Sequence, residues 1–273
     1  MKCIVCDMSG IISIKGKNNE KLLKVFEELK NINYTFCTGK GFKGSLDIIC
    51  DLELSLPIIC ENGALIITKD GEVVSKHVIA CRLVEDLILK LSSLDYEFIS
   101  CCNIKTNNYI FLNNKEKFKE ELKQDIFFGE EVYYKADDFL QAIKKLEVVR
   151  IIYRGNPISE DVLNNIDGFD ISNSEKKYYS FCSKNINKKS GIEEIVSRYN
   201  IPIYDIIIIG NDYNDMCMFD IDCYKKIAIG KECSELQKLA DVNISLEELP
   251  NYLSNIDKKL KKWYISRNFE GEV

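Results

Sequence analysis

The chain is punctuated by short apolar runs that stop abruptly at polar turns, with amphipathic segments between them. CIVC ends at Asp7, YTFC at Thr38 and Gly39, PIIC at Glu61, Asn62 and Gly63, and DIIIIG at Asn211. Continuous apolar runs of this length are strands buried on both faces, the pattern of a parallel sheet covered by helices. After the first run, Leu22, Val25, Phe26 and Leu29 recur at helical spacing behind the cap candidates Asn18 and Asn19. SLDIICDL is a second helix candidate, GIEEIVSRYNI and MCMFD are helical in the later half, and KKIAIG and ELQKLADVNIS continue the rhythm. This alternation predicts an α/β fold with a parallel, Rossmann-like sheet.

Between the halves, residues from about 80 to 182 change character: helical patterns at 82–94, 115–124 and 137–145 lie among strands rich in Tyr and Phe. The expected organisation is a core of residues 1–79 and 183–273 split by an α/β insertion at 80–182. A length of 273 residues accommodates both parts, since single domains usually run to roughly 100–200. The Lys-rich tail IDKKLKKWYISRNFEGEV reads as a solvated terminal helix that frays.

Composition excludes several classes of function. With 37 basic against 43 acidic residues the net charge is −6, the wrong sign to attract nucleic acid. No apolar stretch approaches the ~20 residues of a membrane span. The opening MKCIVCDMSG lacks the apolar length of a signal peptide, so a cytoplasmic location is expected. Of the twelve cysteines, Cys3, Cys6, Cys50 and Cys60 lie inside apolar runs and read as reduced core thiols. Zinc at Cys3 and Cys6 is disfavoured, because residues three apart on a strand face opposite sides and no second pair or His cluster completes a site. His77, the single histidine, reads as a surface or boundary residue.

In open parallel sheets, ligands bind in the crevice at the carboxyl ends of the strands. Three strands deliver Asp7, Thr38, and the group Asn211, Asp212, Asn214 and Asp215 to that edge. Hard oxygen donors without His or thiolate suit Mg²⁺, which takes one or two carboxylates and completes its shell with water and phosphate. A divalent cation also lets crowded carboxylates stay ionised. Asp215 has a second reading as a helix cap.

These residues resemble the haloacid dehalogenase superfamily, specifically its Cof-like branch of phosphatases with an inserted α/β cap. CIVCDMSGII is similar to its D-x-D-G-T-L opening, CTGK to its threonine motif, NKKSGIEEI to its lysine motif, and IGNDYNDMCMF to its G-D-x-x-N-D-x-x-M closing motif. The resemblance implies a Mg²⁺-dependent phosphohydrolase acting on small phosphorylated metabolites, with Asp7 as nucleophile forming an aspartyl-phosphate. Thr38, Gly39, Asn214 and Lys188 would hold the phosphate, with Lys189 a rival for Lys188. Asp7, the backbone carbonyl of Ser9, Asn211 or Asp212, and Asp215 in the first or second shell would hold the metal.

Two departures bear on rate. The family's general acid and base is replaced by Ser9, and the loss of such a group typically costs ~10²–10⁴-fold. The first acid of the closing motif is Asn211, which keeps an oxygen but gives up a charge that Asp212 could restore. A slow enzyme and a catalytically impaired binder or sensor of phosphometabolites are therefore both open readings. Gly39, Gly41 and Gly44 also spell G-x-G-x-x-G, with Glu61 ending the next strand. That unit is the second strand of the chain, and Gly39 already belongs to the threonine motif, so a dinucleotide site is disfavoured.

Overall fold

The structure, a computed structural model, describes residues 2–104, 109–113, 131–174 and 177–270. Five parallel strands form the central sheet in the order Val242–Ile244, Lys225–Ile229, Ile206–Gly210, Cys3–Cys6 and Asn33–Phe36. Cys3 to Cys6 align with Ile206 to Ile209 on one side and with Asn33 to Phe36 on the other. Ile4, Cys6, Ile207 and Ile209 pack into one layer with Leu22 and Phe26, whereas Cys3, Val5, Ile206 and Ile208 pack into the opposite layer with Ile192 and Ile195. Each buried Ile contributes about 1.5–3 kcal/mol relative to exposure, so these two strands anchor the edge from which the polar loops emerge. Cys3 and Cys6 lie in opposite layers, and all twelve cysteines are free thiols.

The helix Glu20–Glu28 is capped by Asn19, whose side chain accepts from the Leu22 N–H. Asn18 instead lies in an unanticipated hairpin pairing Ser13–Ile14 with Lys17–Asn18. The helix expected in SLDIICDL runs Phe42–Ile49, and the one expected from Gly191 begins at Lys188, because Asn187 caps it with a reciprocal bond to Ser190. The Lys-rich tail continues a helix that starts earlier in the chain. The helix Leu249–Glu270 buries Leu249 and Leu253 in the core, and Asn31 donates to Asp257 through its backbone N–H and its amide. At the start of the tail Ile256 and Leu260 are partly buried against the same core. No helix among the described residues is long and apolar enough to cross a membrane.

A second sheet has the order Glu131–Tyr133, Tyr109–Leu112, Tyr96–Asn103, Val148–Gly155, Tyr178–Ser183 and Phe169–Ser174. The helix expected at 115–124 lies outside the described residues. One face of this sheet carries Ile99, Ile151, Tyr153 and Phe181 against the helices Cys81–Ser92 and Ala136–Ile143. From the other face Arg150, Ile152, Ser172, Ser174, Tyr178 and Ser180 line a cavity shared with the core. The strand Phe169–Ser174 meets the core through alternate residues: Asn187 Nδ2 donates to Asp170 Oδ2, Asn62 Nδ2 to Ser172 Oγ, and Ser174 Oγ to Asp212 Oδ2. Asn62, Asn187 and Asp212 all belong to polar turns, and Asn62 and Asp212 follow carboxyl ends of core strands.

Candidate active site

At the carboxyl edge of the sheet a buried lysine stands between two buried carboxylates. Lys188 Nζ donates to Asp7 Oδ1 at 2.7 Å and to Asp215 Oδ1 at 2.6 Å. The helix start at Lys188 decides which of the two neighbouring lysines faces inward, and Lys189 stays half-buried outside the triad. Two carboxylates share one ammonium, so the group retains one negative charge. Burial and the charge of Asp215 outweigh the pull of Lys188, and the Asp7 carboxyl is pushed up to about 7. Burial works against the lysine's charge, but the two carboxylates overcome it and hold Lys188 protonated. Removing one partner of such a buried set leaves uncompensated charge, at a cost of about 3–5 kcal/mol. Lys188→Met is expected to lose that much stability by urea unfolding at pH 8, with part regained at pH 5 as Asp7 takes up a proton. A loss under about 1 kcal/mol at pH 8 would mean that the triad does not hold these loops together.

The loop after Ile206–Gly210 sorts its polar residues by what each one touches. Asp215 is fully engaged: Oδ1 accepts from Lys188, and Oδ2 accepts from the backbone N–H groups of Asn211 and Asp212. Asp212, considered from sequence as a metal ligand, is turned away, with Oδ1 accepting from the Tyr213 N–H and Oδ2 from Ser174 Oγ. Among the described residues no three Asp, Glu, His or Cys side chains converge as a metal-holding group. Asn211 points toward the Asp7 loop, where a Cβ on Gly10 would lie 2.5 Å from Asn211 Nδ2; Gly10, at φ +77°, admits it. Asn211 Oδ1 is buried without a hydrogen-bond partner, as is Asn214 Oδ1.

Thr38 is buried, and its Oγ1 accepts from the Lys40 N–H, leaving its own hydroxyl proton to donate elsewhere. Next to it, Glu61 and Asn62 adopt left-handed backbone at φ 52° and 54°. This conformation is uncommon for non-glycine residues, and it brings both side chains against the Thr38 loop. Glu61 Oε2 lies 2.7 Å from Arg150 Nε of the second sheet. A Cβ on Gly41 would lie 2.8 Å from Glu61 Oε1, and one on Gly39 would lie 2.9 Å from Asn62 Oδ1. Gly39 and Gly41 of the G-x-G-x-x-G pattern thus make room for side chains of the fold, whereas a Cβ on Gly44 would meet nothing within 4 Å. Ser9, Gly10, Gly39, Asn62, Arg150, Asn211 and Asn214 line a cavity of about 1310 Å³ between the two sheets. A smaller cavity of about 350 Å³ is lined by Lys188 and shares Asn62, Ser172 and Asn214 with the larger one.

Sequence reasoning did not single out Arg150, nor Asn62 beyond its place at a strand end. Arg150 had one visible signal, a charge in the middle of the otherwise apolar run VVRIIY. Asn62-Gly63 had another, since Asn followed by Gly is a common left-handed pair.

The sequence matches the family of haloacid dehalogenase-like hydrolases over residues 4–248. The chain belongs to that family. A stress response protein, YhaX, of Bacillus subtilis is 21% identical over 254 residues, covering 85% of this chain and 83% of the relative. A phosphoglycolate phosphatase of Nitrosopumilus maritimus is 28% identical over 165 residues, covering 58% of this chain and 66% of the relative. Among solved structures, the haloacid dehalogenase subclass IIB sugar phosphatase BT4131 superposes with a TM-score of 0.73 at 18% identity, covering 97% of this chain and 100% of that one. BT1666 of Bacteroides thetaiotaomicron gives 0.75 at 16% identity, covering 97% and 96%. The α/β fold with a parallel-sheet core and a second, inserted sheet is therefore shared along nearly the whole chain.

Proposed function

We propose that this chain is a Mg²⁺-dependent phosphatase of small phosphorylated metabolites, with a core of residues 1–79 and 183–273 and a cap formed by residues 80–182. The observation that carries this reading is the Asp7–Lys188–Asp215 triad at the carboxyl edge of the sheet, beside a cavity that the second sheet covers. In this mechanism an Asp7 oxygen attacks phosphorus, the P–O bond to the leaving group breaks, and an aspartyl-phosphate forms that water then hydrolyses. Lys188, held protonated, turns its charge from Asp7 to the phosphoryl oxygens. The Thr38 hydroxyl, the Gly39 backbone N–H and the Asn214 amide hold the same group by positioned hydrogen bonds. Asp215 acts through others: it fixes Lys188 and the backbone of Asn211 and Asp212.

The donors fit a hard cation in a reduced set. Asp7 supplies the charge, the buried unpartnered Asn211 Oδ1 a neutral oxygen, and Ser9 its backbone carbonyl. When bound, Mg²⁺ would offset the negative charge brought together by Asp7 and the substrate. With one carboxylate the site is weak, and Asn211→Asp is expected to tighten Mg²⁺ binding at least ~10-fold by calorimetric titration. Asp212→Asn should leave the affinity unchanged. The reverse order would return the ligand role to Asp212.

Purified protein should release phosphate from an aryl phosphate with Mg²⁺ and cease with a chelator. No release at any Mg²⁺ concentration removes the enzyme reading. A second reading is favoured by Ser9 and Asn211, which are neutral where the family carries acids. A phosphometabolite binder or sensor would show ligand-dependent stabilisation without phosphate release.

A further inference from the structure

The lysine of the triad stands where the second sheet hands the chain back to the core. The strand Tyr178–Ser183 ends four residues before Asn187, and the helix that opens with Lys188 follows at once. Asn187 is fixed from two directions. Its backbone lies against the core, since a Cβ on Gly63 would overlap the Asn187 carbonyl oxygen. Its side chain uses both ends of one amide: Oδ1 accepts from the Ser190 N–H at 3.1 Å and caps the helix, while Nδ2 donates to Asp170 Oδ2 of the second sheet at 2.8 Å. Asp170 pairs in register with Cys182 on the neighbouring strand, so the bridge closes a short loop between that sheet and the start of the helix.

An amide is planar, so bonds at its oxygen and its nitrogen together set its rotation and the backbone from which Lys188 departs. From that origin the ammonium reaches two buried carboxylates at 2.7 and 2.6 Å, and a small shift of the origin would misalign both contacts and the charge they aim. We propose that Asp170 is a positioning residue for Lys188: through the Asn187 amide, the ammonium is aligned only while the second sheet is seated on the core. Phosphoryl transfer then depends on a covered cavity, from which bulk water is excluded. The inference rests on the phosphatase reading above and deepens it.

The test measures kcat/KM for an aryl phosphate with Mg²⁺ on the full-length protein, well below the melting temperature of each variant. This ratio reads the first transfer whichever step limits turnover. Asn187→Asp is the decisive variant. Asp caps a helix as well as Asn does and suits its positive end better, so the cap survives while two carboxylates now face each other. A fall on the order of 10-fold is expected, less than the cost of a full 1 Å misplacement. Adding Asp170→Asn rebuilds the bridge with donor and acceptor exchanged, and should return kcat/KM to within about threefold of wild type. Asp170→Ala cannot bridge and should lose as Asn187→Asp does. Glu147→Ala, which breaks an exposed ion pair with Lys76 elsewhere between the second sheet and the core, should change nothing. An Asn187→Asp variant equal to wild type, a loss that Asp170→Asn does not rescue, or an equal loss in Glu147→Ala would overturn the link. Should Asn187→Asp fail to fold, Asp170→Ala decides alone, and wild-type kcat/KM there would overturn it. If no aryl phosphate is turned over by the wild type, the phosphatase reading falls first. The link is then read by hydrogen exchange in the first turn of the helix Lys188–Arg198: faster exchange in Asp170→Ala is expected, and equal exchange would overturn the link as well.

Discussion

Replacing Asp7 by Asn is expected to abolish turnover and, at alkaline pH, to make the protein more stable. Loss of the nucleophile should cost at least ~10³-fold in kcat with an aryl phosphate. The stability gain follows from burial. The Asp7 carboxyl is raised from 3.8 to about 7, so the folded state binds its proton more tightly than the unfolded chain does. Stability is therefore greatest below the unfolded value and falls as pH rises through the interval, reaching its full penalty above about 7. Asn keeps an oxygen for Lys188 and has no proton to lose, so it escapes that penalty. Thermal melts in chelator should show a larger gain for Asp7→Asn at pH 8 than at pH 4.5. Activity within tenfold of wild type would remove Asp7 as nucleophile, and a lower Tm at pH 8 would show that the attraction of Lys188 outweighs burial.

Ser9→Asp carries the second large effect, in the opposite direction. Ser9 borders the cavity and is half-buried, so a carboxylate there has room for its added atoms. A hydroxyl exchanges no proton near neutral pH. In the wild type the transfer to Asp7 proceeds with leaving groups that need little protonation, such as aryl phosphates, while hydrolysis of the aspartyl-phosphate lacks a base. The second step is then limiting, and a burst of product equal to the enzyme concentration is expected before slow turnover. Ser9→Asp should raise turnover ~10²-fold, the lower end of general acid–base contributions. Fast wild-type turnover without a burst, slowed by Ser9→Asp, would assign the proton transfer to another group.

What could be read from the sequence divides along physical lines. The strands Cys3–Cys6 and Ile206–Gly210 were legible because both faces are buried and leave a continuous apolar run. Asp7, Thr38 and Asn211 follow such runs directly, so topology alone brings them to one edge. The choice between Lys188 and Lys189 was not legible, since it depends on the helix starting at the Asn187 cap. Neither was the orientation of Asp212, which is set by a serine of the second sheet 38 positions away in the chain. The pair of Glu61 and Arg150 is invisible for the same reason: each looks like an ordinary charge until the fold buries both. In the terminal helix the stripe of Leu249, Leu253, Ile256 and Leu260 was present at helical spacing, but the surrounding lysines masked it.

Consider again the edge strand Phe169–Ser174, which meets the core through Asp170, Ser172 and Ser174. At roughly 3.3 Å per residue these three side chains stand in a line about 13 Å long. Bonds in a row resist translation along the row far better than separation across it, because a slide must misalign all of them while a lift can break them one after another. Each is a partly wetted polar contact worth on the order of 1 kcal/mol, so the row adds little cohesion. It behaves as an indexing rail: however often the two sheets part, they return in the same register, and Arg150 returns to the same place against Glu61.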